Sequence, residues 1–298
     1  MKNINSIHSL ILFAFMALTF SACEDPIEVP SQFEESQLAV DAWLTNTNEA
    51  QTITLSETVD YFAGGQAPAV ENASVSICNE TTMSCYKFVH QGGGRYVWQP
   101  GVDETFGDIG DQLSLEIELN DEIIIATTDI ARTARIDSIG LDFEEETLAL
   151  DEGIYAQVYA YDLPGRGDTY WIRTYKNDTL LNRPEEQVVA FDATFDAGAD
   201  IDGTYFIPPL RFGSTNPLDD EGGFIPYIPG DKIRVEVHSI NEVGFGFLNI
   251  AIEQILNEGI FASPVANARG NIVNRNTNEP VLGVFNIAQV ASLERIVE

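Results

Sequence analysis

The chain has 298 residues, of which 44% are hydrophobic and 21% charged, so it can bury a large core and global disorder is excluded. Acidic residues number 47 and basic residues 15, and the formal net charge of −32 argues against nucleic-acid binding and against adhesion by charge to an anionic membrane. With 3 Cys and 3 His, most metal and nucleophile chemistries have few residues to use.

Residues 1–22 have the pattern of a secretory signal peptide. Lys2 supplies the basic start, and an apolar run from Leu10 to Phe20 follows, which is shorter than the roughly 20 residues that span a bilayer. Small residues before Cys23 resemble a bacterial lipobox, with Phe20 where Leu is usual. Two or three acyl chains on such a cysteine anchor a protein stably, whereas one binds marginally. We expect lipidation of Cys23; the alternatives are an ordinary secretory signal or a buried helix.

The segment 23–36 is acidic, contains two prolines and lacks periodicity. It is predicted to be an extended tether that reaches roughly 45 Å at about 3.3 Å per residue. Glu24 and Asp25, directly after the cysteine, resemble the surface-export signal of Bacteroidota lipoproteins. We therefore expect the protein to be lipid-anchored in the outer membrane and exposed at the cell surface.

Residues 37–132 are predicted to form an antiparallel sandwich domain. In 113–119, apolar residues alternate with Ser and Glu, which is typical of a half-buried strand. Asn120-Asp121 and Gly92–Gly94 are turn signals between strands. Short alternating segments of this kind are typical of a sandwich, and they occupy 38–44, 51–57, 73–78, 85–90, 95–98, 113–119 and 122–128.

Cys78 and Cys85 stand at the end of one of these strands and the start of the next. A hairpin would bring their Cα atoms near the 4.4–6.8 Å that a disulfide accepts, and export permits oxidation. We predict a disulfide, which would stabilise the fold by roughly 2–3 kcal/mol. Free or metal-binding thiols are the alternative, although two thiols alone make a poor zinc site.

Residues 133–298 are predicted to form a second β-rich domain with one helix near 243–257. Strand-like segments occur at 154–162, 169–177, 188–195, 204–212 and 232–240. Asn241 is a suitable helix N-cap and Gly259 a suitable residue after the helix. Four apolar residues fall on one helical face, which favours packing on a sheet over partner binding: Phe245, Leu248, Ile252 and Ile255.

Candidate catalytic chemistry is sparse. His90 and His238 follow the signal peptide, but no G-x-S-x-G motif accompanies them. Loop carboxylates could ligate Ca²⁺, but neither cluster has EF-hand spacing, and solvated acidic loops are the commoner outcome. The two clusters are Asp196, Asp200 and Asp202, and Asp219, Asp220 and Glu221. We expect no enzyme activity, no cofactor and no metal site.

Several segments, taken in their order along the chain, resemble the domain-of-unknown-function 4249 family of Bacteroidota lipoproteins. They are CEDPIEV (23–29), LAVDAWLT (38–45), QTITLSETVDYF (51–62), PAVENASVSI (68–77), GGRYVW (93–98), TYWIRTY (169–175), GDKIRVEVHSI (230–240), GIFASPVANARGNIVN (259–274) and EPVLGVFNIAQV (279–290). The resemblance implies a transthyretin-like or immunoglobulin-like sandwich first. It assigns no catalytic residues, and it implies an association with TonB-dependent outer-membrane receptors.

Two functions are therefore expected, in this order. The first is a non-enzymatic surface lipoprotein that assists a TonB-dependent transporter or captures its ligand, through loops such as 205–212 and 224–229. The second is a carbohydrate-binding adhesin or surface hydrolase, which a row of exposed tryptophans among Trp43, Trp98 and Trp171 would favour. Ser138 and Thr179 also resemble the Asp-Ser/Thr-aliphatic O-glycosylation pattern of the same phylum.

Overall fold

The computed structural model describes residues 36–59, 65–194, 201–206, 215–256 and 268–298. These residues belong to one compact unit. The predicted signal peptide, Cys23 and all of the predicted tether except Ser36 lie outside the described residues, as do Asp196 and Asp200.

The described chain is mainly β, as predicted, with one α-helix among the described residues. The strands are β1 (Leu38–Thr45), β2 (Gln51–Glu57), β3 (Ser74–Asn79), β4 (Ser84–His90), β5 (Arg95–Trp98), β6 (Gln112–Leu119), β7 (Glu122–Asp129), β8 (Arg135–Glu144), β9 (Gly153–Tyr161), β10 (Thr169–Lys176), β11 (Thr179–Leu180), β12 (Val188–Phe191), β13 (Lys232–Ile240), β14 (Ile272–Asn274), β15 (Pro280–Ala288) and β16 (Val290–Ile296). The helix is α1 (Glu242–Leu256), and a 3₁₀ turn spans Pro184–Glu186.

Nine strands close into a barrel-like sandwich, in the order β1-β15-β14-β7-β6-β3-β4-β5-β2. The alternation read from the sequence sets which side chains face inward. In β6, for example, Leu113, Leu115 and Ile117 are fully buried, while Glu116 and Glu118 point outward. The core that these strands enclose also holds the rings of Trp98 and other aromatic residues.

Two strands of this sandwich come from the C-terminal part of the chain. β14 pairs with β7 and β15 pairs with β1, so the range 133–298, assigned above to a second domain, supplies part of the first sheet. The β1–β15 pair is parallel, with Ala39 opposite Leu282 and Thr45 opposite Ala288. Alternation in a sequence indicates which face of a strand is buried, but it does not indicate which strand lies next to it.

The second β region consists of a sheet and a hairpin that share a core. The sheet has the order β11-β10-β13-β16, and β12 also pairs with β10. The hairpin β8–β9 contributes Ala156 and Val158 to a buried cluster that includes Tyr170, Val235 and Val237 of the sheet. Because one face of this sheet is buried, Trp171, Arg173 and other alternate residues of β10 and β13 lie on the opposite face.

The helix α1 begins one residue before the predicted start and ends one residue before the predicted end. Asn241 is its N-cap, because its Oδ1 accepts a hydrogen bond of 2.7 Å from the backbone of Gly244. Phe245 and Leu248 belong to a small apolar cluster with Trp43 and Trp171, so the helix packs against both sheets. Within the described residues, no helix is long and apolar enough to cross a membrane.

Candidate binding groove beside helix α1

The outer face of β1 forms one wall of a groove. Strand geometry sends alternate side chains to opposite faces, so Val40, Ala42 and Leu44 fill the sandwich core, while Asp41 and Trp43 point outward. The sequence LAVDAWLT therefore places a carboxylate and an indole two residues apart on the same outer face.

The remaining walls come from β2, β15 and α1, and the groove has a volume of about 590 Å³. This volume falls within the range of small-molecule sites, roughly 300–1,000 Å³. The described lining residues are Ala39, Val40, Asp41, Trp43, Thr54, Ser56, Phe247, Gln254, Ala268, Leu282, Gly283 and Val284.

Aromatic contacts fix the position of Trp43. Its ring meets Trp171 of β10 edge to face at a centroid distance of 5.4 Å, and it lies 6.5 Å from the ring of Phe247 on α1. The indole of Trp171 is held in turn by a hydrogen bond of 3.1 Å from its Nε1 to Gln187. Trp43 is therefore a wall of fixed orientation, half-buried and still open to the groove.

The start of α1 is tied to the sandwich by polar contacts. The Asn241 side-chain amide donates to Thr128 and to the carbonyl of Phe285, each at 3.1 Å, and the Asn241 backbone donates to Asn286 Oδ1 at 2.9 Å. Since β7 and β15 carry these acceptors, the first turn of the helix is held against two strands of the sandwich, and one of these, β15, also lines the groove.

Asp41 is the one titratable residue among the described groove residues. Burial by the surrounding walls raises the pKa of its carboxyl, and a hydrogen bond from the Trp43 backbone partly offsets this. The side chain nevertheless stays exposed toward the groove. Among its described lining residues, the groove thus presents one carboxylate between aromatic and aliphatic walls.

A second concavity, of about 420 Å³, lies between the 3₁₀ turn and the loop 218–224. Its rim carries an ion pair of 2.6 Å between Arg183 and Asp220. Asp219 accepts hydrogen bonds of 2.8 Å from the backbones of Glu221 and Gly223, so this acidic cluster closes its own loop.

The expected contact loops are only partly surface features. In the loop 224–229, Ile225 and Ile228 are exposed, whereas Tyr227 is buried in the second core. Tyr205 is 47% exposed and Phe206 is buried, and residues 207–212 lie outside the described residues.

The fold regroups the predicted acidic cluster of 196–202. Asp202 lies beside Asp162 and Asp192, and oxygen atoms of the three carboxylates are within 4.8 Å of one another. Asp162 is fully buried, and burial raises its pKa, with the charges of Asp168 and Asp192 adding to the effect. Oxygen ligands of this kind would suit Ca²⁺.

Each of these carboxylates already serves the protein itself. The Tyr170 hydroxyl donates to Asp162 at 2.6 Å, and backbone N–H groups of the loop 163–168 donate to Asp192 and Asp202 at distances from 2.7 to 3.2 Å. Arg132 reinforces the same loop through Asp168 and the carbonyl groups of residues 163–165. The cluster is thus accounted for as the support of a loop.

The two histidines do not form a nucleophilic constellation with described residues. His238 is buried, and its Nε2 lies 2.9 Å from Oε2 of Glu236, which also accepts from Tyr175 at 3.1 Å and pairs with Arg234. Burial lowers the pKa of His238 to about 3, and the charges of Arg173 and Arg234 contribute. The ring of His90 lies against Tyr96 at a centroid distance of 5.1 Å, with the two ring planes tilted by 40°.

The predicted disulfide is confirmed. Cys78 and Cys85 face each other across β3 and β4, with a Cα–Cα distance of 4.1 Å. This is slightly below the range expected above, because the two residues are directly opposite in the ladder. The bridge lies outside the groove and serves the hairpin.

Both predicted glycosylation positions are accessible. Ser138 is exposed on β8, beside an irregularity in its pairing with β9, and Thr179 is exposed on the short edge strand β11. The tryptophans do not form a row, because Trp98 is buried with Tyr86 and Phe106 inside the sandwich while Trp43 and Trp171 pack on each other outside it.

The sequence signal for the groove was present only in part. The Asp41–Trp43 alternation in β1 could be read, but the opposite wall comes from α1 and β15, more than 200 residues further along the chain. A positive φ of 115° at Gly283, where β15 passes β1, was the local feature that the sequence could not reveal.

Comparison with known protein families identifies a match. The family model described as "Domain of unknown function (DUF4249)" matches residues 24–294. No curated protein matches the sequence. Since the model covers both β regions, α1 and the groove between them, the chain belongs to the DUF4249 family.

Proposed function

We propose that this chain is a non-enzymatic, lipid-anchored protein of the outer-membrane surface that captures a ligand or partner for a TonB-dependent transporter. The observation that carries the proposal is the groove beside α1, whose described walls offer apolar and aromatic surface with one ionisable group. Such a lining is typical of binding sites, which combine apolar walls with a few polar groups.

The same lining favours binding over hydrolysis. Hydrolysis of glycosides uses two carboxyl groups at a set separation, and acyl transfer uses a nucleophile, a base and a group that orients the base. Asp41 has no second titratable residue beside it among the described lining residues. The hydroxyl groups of Thr54 and Ser56 therefore have no histidine or lysine among the described groove residues to activate them.

The anchor and the groove are connected through β1. Ser36, the last tether residue, donates a hydrogen bond of 2.9 Å to the carbonyl of Thr58, and the Gln37 backbone donates to Thr58 Oγ1 at 3.0 Å. The tether from Cys23 thus ends beside β1 and β2, which line the groove. A net charge of −32 would hold the body away from anionic lipid heads.

The test is recovery of a receptor from native membranes. Full-length protein with a C-terminal affinity tag is extracted from its host in mild detergent, and co-purifying outer-membrane proteins are identified by mass spectrometry. We expect a TonB-dependent receptor with the wild type and with Val102→Glu, which changes a residue that is 93% exposed and outside the groove. Phe247→Glu places a charge in the groove and should reduce recovery. Absence of any receptor above background with the wild type would contradict the proposal.

A second candidate function, carbohydrate binding, is favoured by one different observation. Tyr159 and Tyr205 are 38% and 47% exposed beside the hairpin β8–β9, and the ring of Tyr205 meets Tyr161 edge to face at 5.1 Å. Exposed aromatic rings of fixed orientation can stack on sugars. Carbohydrate binding would become the favoured function under two conditions. The protein would have to bind specifically on a glycan array and lose this binding with Tyr159→Ala or Tyr205→Ala, and the recovery of a receptor would have to fail.

A further inference from the structure

We propose that the groove beside α1 binds a small organic cation, with its ammonium group at Asp41 and its apolar body against Trp43 and Phe247. This inference rests on the proposed binding role and adds the chemical class of the ligand. The groove's size, its charge and its aromatic walls each support it independently.

Among the described groove residues, no cation compensates the charge of Asp41. None of the described lining residues is basic. By contrast, two buried or partly buried carboxylates elsewhere have a cation at hand: Asp168 pairs with Arg132 at 2.5 Å, and Asp231 pairs with Lys176 at 3.0 Å. Burial by the surrounding walls also raises the pKa of Asp41, and the hydrogen bond from the Trp43 backbone offsets this only in part. A cationic ligand would supply the missing countercharge.

Trp43 suits the same ligand. It follows Asp41 by two residues, so the two side chains project from the same face of β1, at a spacing of roughly 7 Å. The face of an indole attracts ammonium groups, and Phe247 adds a second ring 6.5 Å from Trp43. A carboxylate and two aromatic rings around one space are the combination that recognises alkylammonium groups.

The rest of the groove fits an apolar body. Leu282 and Val284 of β15, together with Ala39 and Ala268, provide aliphatic surface, and Thr54 and Ser56 offer hydroxyl groups at the edge on β2. The volume of about 590 Å³ exceeds what an inorganic ion needs and matches a molecule of drug-like size. An amine with an aromatic or aliphatic body is therefore the ligand class that the groove would take.

The experiment compares a cation with a neutral molecule of the same shape. Phenethylammonium and 2-phenylethanol are titrated into the full-length lipoprotein in non-ionic detergent, and binding is followed by tryptophan fluorescence and by calorimetry. We expect the wild type to bind phenethylammonium more tightly than 2-phenylethanol. Asp41→Asn should weaken the binding of phenethylammonium by about tenfold or more and leave the affinity for 2-phenylethanol unchanged.

Glu118→Gln is the matched control, because Glu118 is an exposed carboxylate on β6 of the same sandwich, outside the groove. Like Asp41→Asn, it removes one negative charge, but it should change the affinity for neither probe. The control therefore distinguishes binding in the groove from general attraction to an acidic protein. Equal affinity for the two probes, no effect of Asp41→Asn, or no binding at about 10 mM would each overturn the inference. The accessory role is judged separately by receptor recovery, so the two can fail independently.

Discussion

A Cβ atom at Gly283 would lie 1.8 Å from the carbonyl oxygen of Val40. Gly283 also has a φ of 115°, a conformation that other L-residues rarely adopt. The two residues face each other in the parallel β1–β15 pair, which joins the N-terminal and C-terminal parts of the chain. Glycine is therefore required here twice over, for its backbone conformation and for the close approach of the strands.

We predict that Gly283→Ala disrupts this pair and destabilises the protein by more than about 3 kcal/mol, because backbone must move to accept the methyl group. Chemical denaturation monitored by circular dichroism measures the change. Gly246→Ala is the matched control, since a Cβ there meets nothing within 4 Å and alanine favours a helix by about 1 kcal/mol over glycine. That variant should be slightly more stable than the wild type, and equal stability of Gly283→Ala and the wild type would contradict the assignment.

The Cys78–Cys85 bridge gives a second prediction. It closes a short loop, with a sequence separation of 7, so its loss should lower the free energy of unfolding by about 2–3 kcal/mol. Reductant should shift the denaturation midpoint of the wild type to that of the Cys78→Ser/Cys85→Ser double variant. The double variant itself should not respond to reductant. An unchanged wild-type midpoint under reducing conditions would show that the bridge adds no stability.

Features that depend on neighbouring residues could be predicted from the sequence. The inward face of β6, the hairpin that carries the disulfide and the helix after Asn241 each follow from a local pattern: alternation, a short loop or a cap. Each of these patterns is complete within about 15 residues, so one sequence is enough to read it.

Features that join distant segments could not be predicted. The parallel pairing of β1 with β15 joins residues about 240 positions apart, and nothing in either strand specifies the other. The same limit applies to the carboxylates, because the sequence groups Asp196, Asp200 and Asp202, whereas the fold places Asp202 beside Asp162 and Asp192. The groove at Asp41 is of this second kind, and only the outward alternation of β1 hinted at it.

His238 should make the stability depend on pH in mild acid. Its folded pKa of about 3 lies below the ordinary value of 6.5, so the unfolded chain binds more protons between these values. The contribution of His238 to stability is therefore fully present above about pH 6.5. It is lost as the pH drops toward 3, by up to about 1.4 kcal/mol per pH unit.

His238→Gln keeps an N–H donor for Glu236 and removes the titration, so we expect it to flatten this slope between about pH 6 and 4.5. Denaturant unfolding at several pH values measures the slope. Val102→Gln, which changes an exposed residue that does not titrate, is the control and should keep the wild-type slope. If the His238→Gln slope matched the wild type as well, other groups would have to account for the acid sensitivity.

The two accessible Asp-Ser/Thr-aliphatic positions predict a modification in the native host. Ser138 and Thr179 are both exposed, as a glycosyltransferase requires. Intact mass of the protein from its host should exceed the mass of the lipidated polypeptide by glycan increments, and Ser138→Ala and Thr179→Ala should each remove one increment. A mass that the lipidated chain explains alone would contradict both assignments.

Lipidation of Cys23 gives the last prediction, which concerns where the protein is found. Buried acyl chains contribute about 0.8 kcal/mol per methylene to membrane binding, whereas an anionic membrane surface repels the acidic body. Cys23→Ala should therefore move the protein from the membrane fraction to the soluble fraction. This substitution can also block removal of residues 1–22. A second Cys23→Ala variant therefore carries an ordinary secretory signal peptide in place of residues 1–22, and intact mass confirms that this signal peptide is cleaved. The Cys78→Ser/Cys85→Ser variant keeps Cys23 and should stay with membranes. Retention of both Cys23 variants in the membrane fraction would rule out the lipid anchor as the means of attachment.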